Sequence, residues 1–191
     1  MLPKWFGIKV LQQANADLLV LEAQAGDRTA FEKLYRHYNK PLLRFAYRFC
    51  SDEQLTSDAV QEAWITLSKT LNSLKDPRGF RVWAYKTVRW RVVDQLRRGV
   101  MPGGAQTEPL SEDTAMCEVG GCAHLATSDQ LKTHLAKLPA EERHALALFY
   151  FEEMKLSEIA VILEVPIGTV KSRLNRARGK LREQMSGDEN G

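Results

Sequence analysis

The chain has 191 residues, 44% hydrophobic and 27% charged, with a formal net charge of +3. That length suits one large domain or two small ones, and the composition is that of a globular protein and not of a disordered or fibrous one. No apolar run approaches the ~20 residues a bilayer needs, the N-terminus lacks a signal-peptide pattern, and three cysteines are an odd count for a disulfide framework, so the expectation is a cytoplasmic protein without membrane insertion.

The net charge conceals an asymmetry. Residues 1–99 hold 17 Lys+Arg against 10 Asp+Glu, residues 100–129 hold none against Glu108, Glu112, Asp113, Glu118 and Asp129, and residues 130–191 hold 10 against 9. Within the last stretch the cations crowd together, because no acidic residue occurs between Ile167 and Arg182. Two cationic lobes around an acidic connector suit two contacts with a polyanion.

In chain order, residues 1–15 are weakly patterned and are expected to form a tail without function. Asp17 is expected to cap a helix through Leu18 and Leu21 that stops at Gly26, and Asp27 to cap the next. That next helix carries Phe31, Leu34, Tyr35, Tyr38, Leu42, Phe45, Ala46 and Phe49 on one face, and Pro41 inside it predicts a kink or a split. Ser57 is expected to open a third helix, with Val60, Ala63, Trp64, Leu67, Leu71 and Leu74 inward. Asp58, Gln61, Glu62 and Lys69 make its outer face. Asp58 and Glu62 stand at i, i+4, but with no His and no third carboxylate nearby they read as a solvated or partner-binding face and not as a metal site.

Residues 75–79 form a loop by their Pro, Gly and Asp content. A helix follows, FRVWAYKTVRWRVVDQLRR, with Phe80, Trp83, Ala84, Val88 and Leu96 for the core and Arg81, Lys86, Arg89, Arg91, Arg97 and Arg98 outside it. Trp83, Tyr85 and Trp90 interleave with these cations. Aromatic rings beside guanidinium groups suit melted nucleic acid, where unstacked bases lie on rings and cations hold the backbone; Trp83, on the apolar stripe, is expected to pack inside.

Residues 100–128 are rich in Gly, Pro and Ser/Thr, acidic and without periodicity, as a flexible linker is. Cys117, Cys122 and His124 lie in it, too widely spaced and too few for structural zinc, so no metal and no cofactor is expected. Helical pattern resumes at Leu131, Leu135 and Leu138, and again through Ala145, Leu146, Leu148, Phe149 and Glu152.

The stretch KLSEIAVILEVPIGTVKSRLNRARGKLR, residues 155–182, reads as two helices with a tight break. Pro166 and Gly168 are expected to end the first near Glu164, and the Thr169 hydroxyl to cap the second. Leu156, Ile159, Ala160 and Leu163 give the first helix one apolar stripe, and Val170, Leu174, Ala177 and Leu181 give the second another. Steps of about 100° per residue put Ser172, Asn175, Arg176 and Gly179 opposite the second stripe. Lys171, Arg178 and Arg182 fall on one flank, and Arg173 and Lys180 on the other. In a helix-turn-helix the second helix enters the major groove, where hydroxyl, amide and guanidinium groups read base edges and flanking cations hold phosphates.

These strings carry a resemblance. GTVKSRL, RAR and LR in the last motif resemble the region 4 helix-turn-helix of bacterial sigma-70 family RNA polymerase sigma factors of the extracytoplasmic-function (ECF) type. DAVQEAW resembles their region 2.2 helix, and FRVWAY with VRWRVVDQLRR resembles regions 2.3 and 2.4, with Trp90 standing where the family usually has a small polar residue. The implied fold is all-α: two small helical domains, 16–99 and 129–186, joined by the linker and ending in a short tail at 187–191.

The implied function is a non-catalytic subunit that directs core RNA polymerase to promoter DNA and aids its opening. Asp58, Gln61 and Glu62 would meet the core polymerase. The −10 element would be met by Lys75, Arg78, Arg81 and Lys86, and further along the helix by Arg89, Trp90, Arg97 and Arg98. For the −35 element the resemblance points to Thr169, Lys171, Ser172 and Arg173, followed by Asn175, Arg176, Arg178 and Lys180. An anti-sigma factor is the other implied partner, and the free chain is expected to be a monomer. The competing classes are a helix-turn-helix regulator acting without core polymerase, which would need a sensor domain, and a nucleic-acid enzyme, which would need a clustered acidic or nucleophilic site.

Overall fold

The computed structural model describes the backbone of residues 4–50, 52–100 and 129–188, and side chains within 14–50, 52–98 and 133–186. Among the described residues there are eight α-helices and two 3-10 turns and no strand. Helices α1 (Lys4–Gln24), α2 (Arg28–Tyr47), α3 (Glu53–Thr70) and α4 (Phe80–Val100) form a first unit. Helices α5 (Asp129–Ala136), α6 (Ala140–Tyr150), α7 (Leu156–Leu163) and α8 (Ile167–Asp188) form a second. The linker, including Glu108, Glu112, Asp113, Glu118, Cys117, Cys122 and His124, lies outside the described residues.

The first unit is built around α2. Its expected stripe is buried at Leu34, Tyr38, Leu42, Phe45 and Ala46, while Tyr35 at its edge stays exposed. Asp27 caps the helix as expected, its carboxylate accepting from the Thr29 and Ala30 amides at 2.8 and 3.3 Å. Pro41 does not split the helix, which continues to Tyr47. On α3, Val60, Ala63, Trp64 and Leu67 face inward, and the Trp64 indole donates to Asn39 on α2 at 3.1 Å. The side-chain amide of Gln24 donates to the Leu71 and Leu74 carbonyls, fastening the end of α1 to the 3-10 turn Leu71–Ser73 that follows α3.

Three boundaries differ from the sequence reading. Asp17 is not a cap, because α1 starts at Lys4 and runs unbroken through it, with Ala16 and Val20 buried one turn apart. The segment expected as a tail therefore supplies most of a helix. Ser57 lies inside α3, and Asp52 caps that helix instead through the Leu55 amide at 3.0 Å. In the second unit α8 begins at Ile167, two residues before Thr169, because the Pro166 carbonyl already accepts the first helical bonds from the Thr169 and Val170 amides. The break is made by Glu164, in left-handed conformation at φ 58°, and not by Gly168, which sits inside α8 with open space around it.

Within the second unit, Ile159, Ala160, Ile162 and Leu163 of α7 pack on Val170, Leu174 and Ala177 of α8 and on Ala145, Leu146 and Leu148 of α6. Glu158 turns back to accept from the Lys155 amide at 2.7 Å, which fixes the entry to α7. The two units pack against each other along α4 and α7. No helix among the described residues is long and apolar enough to cross a membrane.

Candidate nucleic-acid interface

Helix α8 presents two kinds of polar side chain. Lys171, Ser172, Asn175, Arg176, Arg178 and Arg182 are exposed. Arg173 is not: it is buried, and its guanidinium lies 2.8 Å from Glu141 on α6. Lys180 is half-buried and reaches Glu142 at 3.0 Å, a carboxylate that Arg176 also approaches at 3.5 Å. Arg178 donates to the Tyr150 hydroxyl at 3.0 Å and lies over the Phe149 and Tyr150 rings. The expected basic flanks thus divide. Arg173 braces α8 on α6, while Lys171, Ser172 and Asn175 face solvent together with Arg182. Thr169, two residues into the helix, is half-buried, and its carbonyl accepts from the Ser172 hydroxyl.

Helix α4 divides in a different way. Trp90 is 54% exposed, an unusual place for a large ring in a helix with a filled core, and the Arg91 guanidinium stacks 4.7 Å from its centroid. Arg97 and Arg98 are exposed, with Arg98 paired to Asp94 one turn back at 2.6 Å. Before the helix, Lys75 is exposed and Arg78 folds onto Asp76 at 3.0 Å, in a 3-10 turn that Asp76 itself caps. These residues face outward from the first unit.

The remaining cations of α4 face the second unit. Arg81 donates to the Glu152 carbonyl, and Lys86 and Arg89 reach the Glu164 carboxylate at 2.9 and 3.3 Å. The hydrogen bond from Lys86 and the charges of Lys86 and Arg89 hold the Glu164 carboxyl below its usual range. Tyr85, read from the sequence as a ring available to nucleic acid, is buried and donates to the Glu152 carboxylate; burial first and that carboxylate second push its phenol well up. Its partner lies in another unit, so helical spacing gave no sign of it.

The Glu152 carboxylate also pairs with Arg48 of the first unit at 3.4 Å, both side chains 7% exposed. Beside this pair, His144 of α6 stacks on Phe49 at 3.6 Å and donates from Nε2 to the Arg48 carbonyl at 3.2 Å, which places a proton on that nitrogen. Burial and the nearby Arg143 lower its pKa to about 3.

On α3, Asp58 and Gln61 are exposed, and Asp58 accepts from Gln54 at 3.1 Å. Glu62 is half-buried and reaches back to Arg91 at 3.3 Å, so it joins the polar face of α3 to α4. Among the described residues no group of His, Cys, Asp and Glu could hold a metal ion.

The geometry is that of two cationic helices on separate units, one behind a helix-turn-helix break, and known proteins carry both. Residues 34–100 match the family model for sigma-70 region 2, and residues 128–181 match the model for sigma-70, region 4. The ECF RNA polymerase sigma factor SigM of Mycobacterium tuberculosis is 30% identical over 173 residues, covering 89% of this chain and 84% of the relative. SigW of Bacillus subtilis is 28% identical over 176 residues, covering 87% and 94%. The sigma factor RpoE of Bartonella quintana, solved with the anti-sigma factor NepR, shares the fold at a TM-score of 0.60 and 24% identity over 82% of this chain and 96% of that one. CnrH, solved with the cytosolic domain of CnrY, does so at 0.63 and 22% over 91% and 99%. This chain belongs to the sigma-70 family, in its extracytoplasmic-function branch of RNA polymerase sigma factors.

Proposed function

We propose that the protein directs core RNA polymerase to a set of promoters and helps open them, acting in the cytoplasm as a subunit with no chemistry of its own. What supports this reading is that two different exposed cationic faces, the outer strip of α8 and the outer side of α4, lie on different halves of a fold whose apolar cluster runs through both. The outer strip of α8, with Lys171, Ser172, Asn175 and Arg176, has the mixture of hydroxyl, amide and guanidinium groups that reads base edges in a major groove. The exposed Trp90 of α4, with Arg97 and Arg98 beyond it, offers a ring and cations to unstacked bases and their backbone. Duplex recognition upstream and strand capture downstream are the two tasks of promoter opening, and α8 and α4 suit one each. Arg78 and Lys75 extend the second surface towards the downstream strand.

The polar face of α3 serves as the contact with core polymerase, through Asp58 and Gln61. Glu62 shares that face, but its bridge to Arg91 gives it a second duty within the unit. RpoE of Bartonella quintana, solved with the anti-sigma factor NepR, suggests a protein partner of that kind here as well.

The test is capture of purified core polymerase by the full chain, followed by transcription in vitro from a genomic promoter library. Retention of core and a defined set of new start sites is the expected result. DNA binding that is specific without core, and unchanged by it, would mark an independent regulator instead.

A further inference from the structure

Lys171, Arg178 and Arg182 share one flank of α8, within about 40° of its circumference at helical steps of about 100°, and all three are exposed. At about 1.5 Å of rise per residue they make a row about 16 Å long. The middle cation of this row is held from another helix. Arg178 donates from Nε to the Tyr150 hydroxyl at 3.0 Å, and its guanidinium lies 5.7 and 5.8 Å from the centroids of the Phe149 and Tyr150 rings at the end of α6. Both Nη nitrogens of Arg178, and the proton of the Tyr150 hydroxyl, are left without a partner among the described residues. Tyr150 is 49% exposed, so this corner is open to solvent. Arg173, Arg176 and Lys180 each face a carboxylate of α6, whereas Arg178 faces a neutral hydroxyl and keeps its full charge available.

We propose, resting on the reading of α8 as the −35 helix, that Tyr150 carries that surface onto α6: its hydroxyl holds Arg178 as a two-pronged donor for one backbone phosphate and gives its own proton to the same phosphate. Arginine presents its N–H donors in a rigid planar fork. With Nε engaged by Tyr150, the two Nη nitrogens face outward as a pair that matches two phosphate oxygens, and charge-assisted pairs of this kind are the stronger hydrogen bonds. The rings beneath the guanidinium restrict its rotamers, so less freedom is lost when a phosphate arrives. Position selects a phosphate over a base edge. A recognition helix turns its N-terminal residues to the bases, and Arg178 lies about three turns past the start of α8, on its flank. Tyr150 escaped the sequence reading because it belongs to α6, ahead of the helix-turn-helix, with its partner 28 positions further along.

The experiment measures binding of the holoenzyme, the full chain with core polymerase, to a fluorescent duplex from one of its promoters, across salt concentrations and across −35 variants of that duplex. Tyr150→Phe removes the hydroxyl and keeps the ring. It should weaken binding about fivefold, the scale of one hydrogen bond, alike on every −35 variant and with the salt slope unchanged, because no charge is lost. Arg178→Ala should weaken binding about tenfold and lower the salt slope by about one unit. Arg178→Lys, a point charge without the fork, should keep the slope and lose most of the affinity. Since both groups serve one phosphate, Tyr150→Phe should cost about twofold or less once Arg178→Ala is present. A lower melting temperature for Tyr150→Phe with DNA binding unmoved would make the pair a brace between α6 and α8 and overturn the clamp. Equal losses from Tyr150→Phe in both backgrounds, or a loss confined to some −35 sequences, would overturn it as well. Core capture is measured in parallel: a wild-type chain that captures core and binds the promoter but is indifferent to Tyr150→Phe defeats the clamp alone, whereas failure to capture core defeats the sigma-factor reading and the clamp with it.

Discussion

Helices α4 and α8 are nearly equal in length, 21 and 22 residues, and both are rich in cations, yet they hold those cations differently. On α8 the paired cations are held by the unit to which the helix belongs: buried Arg173 by Glu141, and half-buried Lys180 with exposed Arg176 by Glu142, all from α6, which shares its apolar core. On α4, Arg91 and Arg98 pair within their own unit, with Glu62 and Asp94, but the partners of Arg81, Lys86 and Arg89, Glu152 and Glu164, come from the other unit. An ion pair backed by a shared core lasts as long as the unit stays folded. One that crosses between units lasts only as long as they are docked, and polar interfaces between domains separate more readily than cores unfold. The apolar cluster continues into the second unit, but the named contacts across the seam are led by charged and polar groups.

The largest effect should come from Glu152→Ala, which strands Arg48. Removing one partner of a buried pair costs about 3–5 kcal/mol, and separation lets Arg48 return to water, so the seam should give way before either unit unfolds. Sedimentation velocity should show a slower, more extended chain whose helical circular dichroism is unchanged. A variant that sediments like wild type would remove the distinction between seam and core.

Arg173→Ala probes the opposite case. Its pair with the partly exposed Glu141 lies within one unit, so a cost of about 2 kcal/mol, less than for a fully buried pair, should appear as a lower melting temperature of the second unit. Lys171→Ala, on the exposed strip, should stay within about 0.5 kcal/mol of wild type while weakening DNA binding. Equal thermal effects from the two would contradict the division of α8 into bracing and reading sides.

Acid should loosen the seam through His144. Its folded pKa of about 3 lies below the ordinary value of 6.5, so between these values the parted or unfolded state binds the extra proton. Stability is therefore full above about pH 6.5 and falls as pH drops towards 3, by at most about 1.4 kcal/mol for each pH unit. Denaturant midpoints measured across this range should fall more steeply for wild type than for His144→Gln. Parallel curves would show that the ring is not the proton acceptor.

The smallest effect concerns base reading by Arg176. A bidentate contact to guanine discriminates by about 1–3 kcal/mol, and Arg176 must leave Glu142 to make it, which places the loss for Arg176→Ala at about 1 kcal/mol. Preference should relax at one or two −35 positions, whereas Arg182→Ala should weaken all sequences alike and flatten the salt dependence. The reverse pattern in binding across −35 variants would mean that α8 is rotated from the orientation assigned to it.

The apolar stripes of α2, α3, α7 and α8 were legible because helical spacing alone decides which side is buried, and two of the caps that misled had a competitor a few residues away, Asp52 for Ser57 and the Pro166 carbonyl for Thr169, while the third, Asp17, lies inside a helix that starts at Lys4. What spacing could not show was any partner distant in the chain. Tyr85 and Arg173 looked available because Glu152 and Glu141 that occupy them lie 67 and 32 positions further along or back, on other helices. The exposed Trp90, by contrast, was legible, since the core of α4 is filled without it.

The division of labour between the two helices is tested most directly by nuclease footprinting of the holoenzyme on one of its promoters. Wild-type chain with core polymerase should protect both the −10 and −35 elements. Lys171→Ala/Asn175→Ala should lose the upstream protection and keep the downstream, and Trp90→Ala/Arg97→Ala should do the opposite. Loss of both elements together in either variant, or an exchange of the two patterns, would contradict the account.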